Sequence, residues 1–214
     1  MRDADAVLTL AQWFSPSFPV GAFSYSHGME TEIAEGRMVD AATVEAWIAD
    51  VLRYGAGRND VILLHSAYTA DAAALQEYDT LAQALAPSQE RLLEALQQGA
   101  AFARTIRDVW GHDVPDVVMP LAVGAAAARQ GLPLALTAET YAHSFVANLV
   151  SAAVRLVPLG QTEGQKVLLS LKPVITEVVS RGLTLNIHDL GAASFAADIA
   201  AMRHETLYAR IFRS

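Results

Sequence analysis

Tyr25, His27 and Glu30 are the side chains through which this chain could do chemistry, set in Ser15-Pro-Ser-Phe-Pro-Val-Gly-Ala-Phe-Ser-Tyr-Ser-His-Gly-Met-Glu30. An imidazole and a carboxylate three residues apart share a face if the segment is helical, and together they supply two metal ligands or a satisfied polar pair. Turn chemistry explains the rest of the stretch. Pro16 and Pro19 fix φ and push their preceding residues toward extended geometry, and Gly21 permits a tight turn. The expected product is a rigid, polar-lined corner at the entrance of a helix over 23–35.

Beyond that corner the chemistry is sparse. The six histidines, His27, His65, His112, His143, His188 and His204, show no HExxH or HxxxH spacing. With no cysteine in the chain, thiolate metal sites, disulfides and cysteine nucleophiles are excluded. Ser24 and Ser26 lack a GxSxG context, and Gly160-Gln-Thr-Glu-Gly164 lacks the Lys-Ser/Thr that reaches phosphate and magnesium. The residues therefore assign no catalytic group and no cofactor. An all-helical metalloenzyme built on His27, Glu30 and a further histidine such as His143 stays open as an alternative.

Two other segments stand out. In Gly160-Gln-Thr-Glu-Gly-Gln-Lys166 the two glycines fall four apart, which on a helix gives a tight crossing or a recognition face rimmed by Lys166. The tail combines Arg203, His204, Glu205, Tyr208, Arg210, Phe212, Arg213 and Ser214 with Leu207 and Ile211. Aromatic and arginine residues concentrate at protein interfaces, so 203–214 reads as a partner-docking segment free to order when a partner arrives.

These groups need elements to hold them. The 214 residues are 53% hydrophobic, enough for one sizeable core, and only 18% charged, with a mean hydropathy of +0.27. Residues 1–100 carry fourteen Asp/Glu against five Arg (net −9), and 101–214 carry nine against ten Lys/Arg (net +1). An overall charge of −8, with Lys166 and Lys172 the only lysines, disfavours nucleic acid and points to protein partners. The apolar runs 117–128 and 144–154 are shorter than the roughly 18 to 20 residues of a membrane span, and Met1–Asp5 opens no signal-peptide core. A cytoplasmic location is expected.

Helical periodicity recurs over 5–14, over a segment capped by Asp40 and stopped by Gly55, and over 59–70, 72–86 (cap Asp71) and 89–110 (cap Ser88). It continues over 117–129, over 138–157 with Thr137 as cap, over 161–180 with a kink at Pro173, and over about 192–202. Residues 183–187 alternate but lack a partner strand, so an extended connector is expected. The fold class is all-α: one domain over 1–214, a bundle of about 8–11 helices.

Ser15–Glu30, Val154-Arg-Leu-Val-Pro-Leu-Gly-Gln-Thr-Glu-Gly-Gln165 and His204-Glu-Thr-Leu-Tyr-Ala-Arg-Ile-Phe-Arg-Ser214, in this order and spacing, resemble the UreF family of urease accessory proteins. The resemblance implies an all-α protein that forms a homodimer and is not an enzyme. It also implies binding to UreD (UreH) and recruitment of the GTPase UreG to apo-urease for nickel insertion. Some relatives carry a cysteine before the tail, and this chain does not. The family's UreD-binding segment maps onto Arg203–Ser214, and Glu30 and Lys166 are the candidates for GTPase contact or nickel passage. A GTPase-activating role would need an inserted arginine, with Arg210 and Arg213 the ones available.

Overall fold

In the computed structural model, which describes residues 3–214, eleven α-helices and two short 3-10 turns carry the chain, with no strand among those residues. The first two residues of the expected 1–214 domain lie outside this range. Helix α1 (Asp3–Trp13) is followed by the corner, with a 3-10 turn at Ala22–Ser24, and by α2 (Met29–Ala34). Then come α3 (Ala41–Tyr54), α4 (Ala56–Thr69), α5 (Ala72–Ala84), α6 (Gln89–Trp110) and α7 (Met119–Gln130). The series ends with α8 (Leu134–Leu156), α9 (Gln161–Ser170), α10 (Lys172–Gly182), a 3-10 turn at Ile187–Asp189, and α11 (Phe195–His204).

Cap chemistry sets most boundaries. Asp40 accepts from the Thr43 amide at 2.9 Å, Asp71 from that of Ala74 at 2.9 Å and Ser88 from that of Arg91 at 3.2 Å, each satisfying a first-turn donor. Gly111 and Gly131 close α6 and α7 in the left-handed conformation. Helix α7 is buried on all sides, which explains its continuous apolar run without invoking lipid. It packs between α4 and α6. A Cβ on Gly124 would fall 2.2 Å from the Leu64 carbonyl oxygen and one on Gly99 1.9 Å from that of Val117, so both crossings demand glycine. The buried apolar side chains of α1 through α10 join one connected core.

Five expectations change. The helix expected over 23–35 is interrupted: residues 25–28 are non-helical, with His27 at φ 54° and Gly28 at φ 81°. Pro173 does more than kink. It occupies the first turn of α10, where its missing N–H costs nothing, and the chain breaks into two helices at Leu171. Thr137 does not cap α8, which starts at Leu134; its hydroxyl donates back to the Pro133 carbonyl at 2.9 Å. The 183–187 connector is extended only in part: residues 183–184 form a turn after α10, and Ile187 opens the second 3-10 turn. Gly160 lies outside α9, so only Gly164 makes the close crossing, facing Val154 and Val150 of α8.

Candidate functional site

The corner is rigid because it is packed as well as turned. Phe18 sits between Phe102 (5.4 Å between centroids) and Trp110 (6.3 Å), and Trp13 meets Phe102 edge-on at 5.4 Å. After it, the chain turns through His27 and Gly28 to start α2 against α11. A Cβ on Gly28 would lie 2.8 Å from the Ala201 amide nitrogen, and Thr31 donates to the Ala200 carbonyl at 3.1 Å. That close approach places the first turn of α2 beside the end of α11, and so brings residues 24–30 to the tail.

Glu30 is the hub of the meeting. Only 6% exposed, its carboxylate accepts from the backbone amides of Ile211 (2.7 Å) and Phe212 (2.9 Å) and stands 3.1 Å from Nε2 of the fully buried His204. The other ring nitrogen of His204 faces the Glu90 carboxylate on α6 at 2.6 Å, which also receives Arg210. Both nitrogens thus stand within hydrogen-bond distance of a carboxylate. A second network lies one turn along α6. Glu94 receives the Ser214 hydroxyl (3.0 Å), pairs with Arg91, and stands 3.1 Å from Nε2 of His27.

Backbone pairing completes the joint. The Arg213 amide donates to the Ser24 carbonyl (2.8 Å), and the Ser26 amide to that of Ser214 (2.6 Å), which the Ser26 hydroxyl also reaches. Arg155 of α8 stacks 4.6 Å over the Phe212 ring and donates to the Phe23 carbonyl. Residues 211–214 consequently alternate out, in, out, in, with Phe212 and Ser214 buried and Ile211 and Arg213 exposed.

Electrostatics follow burial. Burial alone pushes Glu94 up, but Arg91, His27 and the hydroxyl of Ser214 outweigh it and hold the carboxyl at about 2. Burial, reinforced by Arg91, pushes His27 down, so its ring is the neutral donor to Glu94. Since Glu94 is depressed in the fold, its stabilisation is fully present above its ordinary pKa of 4.5 and is lost as pH falls from there toward 2. The expected loss is on the order of 3 kcal/mol. Urea unfolding across that range should show a steep fall in the wild type and a shallower one in Glu94→Gln; equal slopes would contradict the assignment. Behind the cluster, a cavity of about 120 Å³ is lined in part by His27, Arg91, Asp60 and Asp198. Burial raises Asp60 to about 6 even though the Tyr141 hydroxyl donates to it at 2.7 Å.

The candidates from sequence therefore converge, with one exception. Tyr25 is buried and donates to Gln97 at 3.0 Å. Arg203 pairs with Glu35 at 3.3 Å, and Glu205 accepts from the first amide of α6, Gln89, at 2.7 Å. Tyr208 is fully exposed. Lys166 stands apart, exposed on α9, which packs chiefly on α8, α3 and α10. His27 and Glu30 do not share a helical face and bind different partners, so neither the polar pair nor the metal-ligand pair that their spacing allows is formed. Ser26 enters the sequence reading only as a serine without a nucleophile context, and Glu90, Arg91 and Glu94 do not enter it. Glu94 lies four and eight residues before Gln98 and Phe102, on the stripe that carries Ile106 into the core, and a carboxylate on that stripe was the available signal.

The sequence model of the UreF family matches residues 38–172. The chain belongs to the UreF family. A urease accessory protein UreF from Roseobacter denitrificans is 52% identical over 214 residues, covering 100% of this chain and 96% of its own length. One from Cereibacter sphaeroides is 53% identical over 210 residues, covering 98% and 99%, and one from Rhodopseudomonas palustris 43% over 218 residues, covering 96% and 92%. The family match leaves out both the corner and the tail, whereas the full-length UreF relatives extend across them. As expected, the architecture is all-α. No helix among the described residues is long and apolar enough to cross a membrane.

Proposed function

We propose that this chain is a non-catalytic adaptor of urease maturation that bridges UreD (UreH) and the GTPase UreG on apo-urease, as a cytoplasmic homodimer, and couples GTP hydrolysis to nickel delivery. The observation that carries the reading is the tail folded on the corner. His204 is spent on Glu30 and Glu90 inside the protein, while Tyr208, Ile211 and Arg213 face outward, an aromatic, apolar and cationic set suited to a protein surface. Family membership supports the urease context. Coupling requires only that the adaptor bind the nucleotide states of UreG with different affinity. A finger arginine would have to come from Arg213, or from Arg210 after release from Glu90.

The test is reconstitution from purified parts. Immobilised UreD should retain UreG only when this chain is added, and Arg210→Ala and Arg213→Ala should leave the hydrolysis rate of UreG unchanged. Retention of UreG without the chain would remove the bridging role. A rate that this chain raises and either substitution abolishes would replace coupling with direct activation.

A further inference from the structure

We propose that Glu30 is a positioning residue that latches residues 205–214 onto the body, and that the latched tail is the form UreD recognises. This rests on the tail-docking reading above and deepens it. Glu30 makes contact with three donors of the tail region at once, Ile211 N, Phe212 N and His204 Nε2, and at 6% exposure it offers nothing to a partner. A single carboxylate thereby fixes both where the tail leaves α11 and where it runs extended.

The surrounding charges make the latch specific. Facing His204 are Glu30 from α2 and Glu90 from α6, with Arg210 of the tail on the far side of Glu90 and Arg91, Glu94 and His27 one turn away. Once latched, the 211–214 segment can present Ile211 and Arg213 only because Phe212 lies under Arg155 and Ser214 reaches Glu94. The unlatched tail would keep the same residues but sample many conformations, and ordering them on binding would weaken affinity. Buried residues that no partner touches therefore govern the affinity of the exposed ones.

Glu30→Gln in the full-length chain separates positioning from contact, because it keeps the shape and removes the charge. Amide hydrogen exchange should show protection of Ile211 and Phe212 falling roughly tenfold or more, with helix α7 protection unchanged. UreD affinity should fall by a similar factor. Tyr208→Ala, an outward position, should weaken UreD binding while leaving amide protection intact. Lost affinity with full protection in Glu30→Gln would make Glu30 a contact residue and overturn the proposal, as would lost protection with full affinity, or no change in either. Full UreD binding by a chain ending at Arg203 would overturn the docking reading instead, and the protection of Ile211 and Phe212 in Glu30→Gln would still decide whether the latch exists.

Discussion

A chain ending at Arg203 should lose UreD binding entirely while keeping nearly all of its helical circular dichroism. Only His204, the last residue of α11, is taken from any helix, and the core of α1 through α10 is left covered except where Phe212 joins it. Glu30 and Glu94 lose their tail partners, yet they also regain water, so neither is left as an orphan charge. His204→Ala is the instructive contrast. It removes the ring between Glu30 and Glu90 and leaves each carboxylate short of one partner under the tail, at about 1–3 kcal/mol each. The point substitution should therefore destabilise the fold more than the deletion does, as read from urea midpoints. Full UreD binding by the truncated chain would refute the docking role, and a smaller stability loss in His204→Ala than in the truncation would contradict the buried pairing.

Much of this architecture was legible because its determinants are local. Asp40, Asp71 and Ser88 cap the helices expected of them, Gly111 and Gly131 close theirs, and the bounds of α6 are the expected ones. The corner failed for a tertiary reason. His27 and Gly28 adopt positive φ because α2 must approach the Ala200–Ala201 backbone, and nothing in the periodicity of 23–35 announces a contact with residues so far along the chain. Pro173 was read as a kink because the sequence does not distinguish a proline inside a helix from one in the first turn of the next.

The site shows the same division. The two segments that looked unusual, the corner and the tail, do meet, and Glu30 and His204 are at the centre of the meeting. The other partner of His204, Glu90, lies 114 residues before it in the chain, on a helix that local sequence does not connect to the tail. Tyr25, His27 and Glu30 stood out as surface candidates but are buried. Turn chemistry could not explain them because they belong to the interior joint between corner and tail. Conversely, Ile211 and Arg213 owe their exposure to the alternation of residues 211–214, which composition alone does not contain.

The second large effect concerns the urease itself. An adaptor that brings UreG to UreD-bound apo-urease acts on an encounter that is otherwise rare, so its removal should abolish activation rather than slow it modestly. The loss should appear in metal content as well as in turnover, because the missing step precedes catalysis. The most direct test is co-expression of apo-urease, UreD and UreG with and without this chain, followed by nickel content and urease activity of the purified urease. The account predicts nickel-loaded, active urease with the chain and nickel-poor, inactive urease without it. Equal nickel content and activity in both preparations would contradict it.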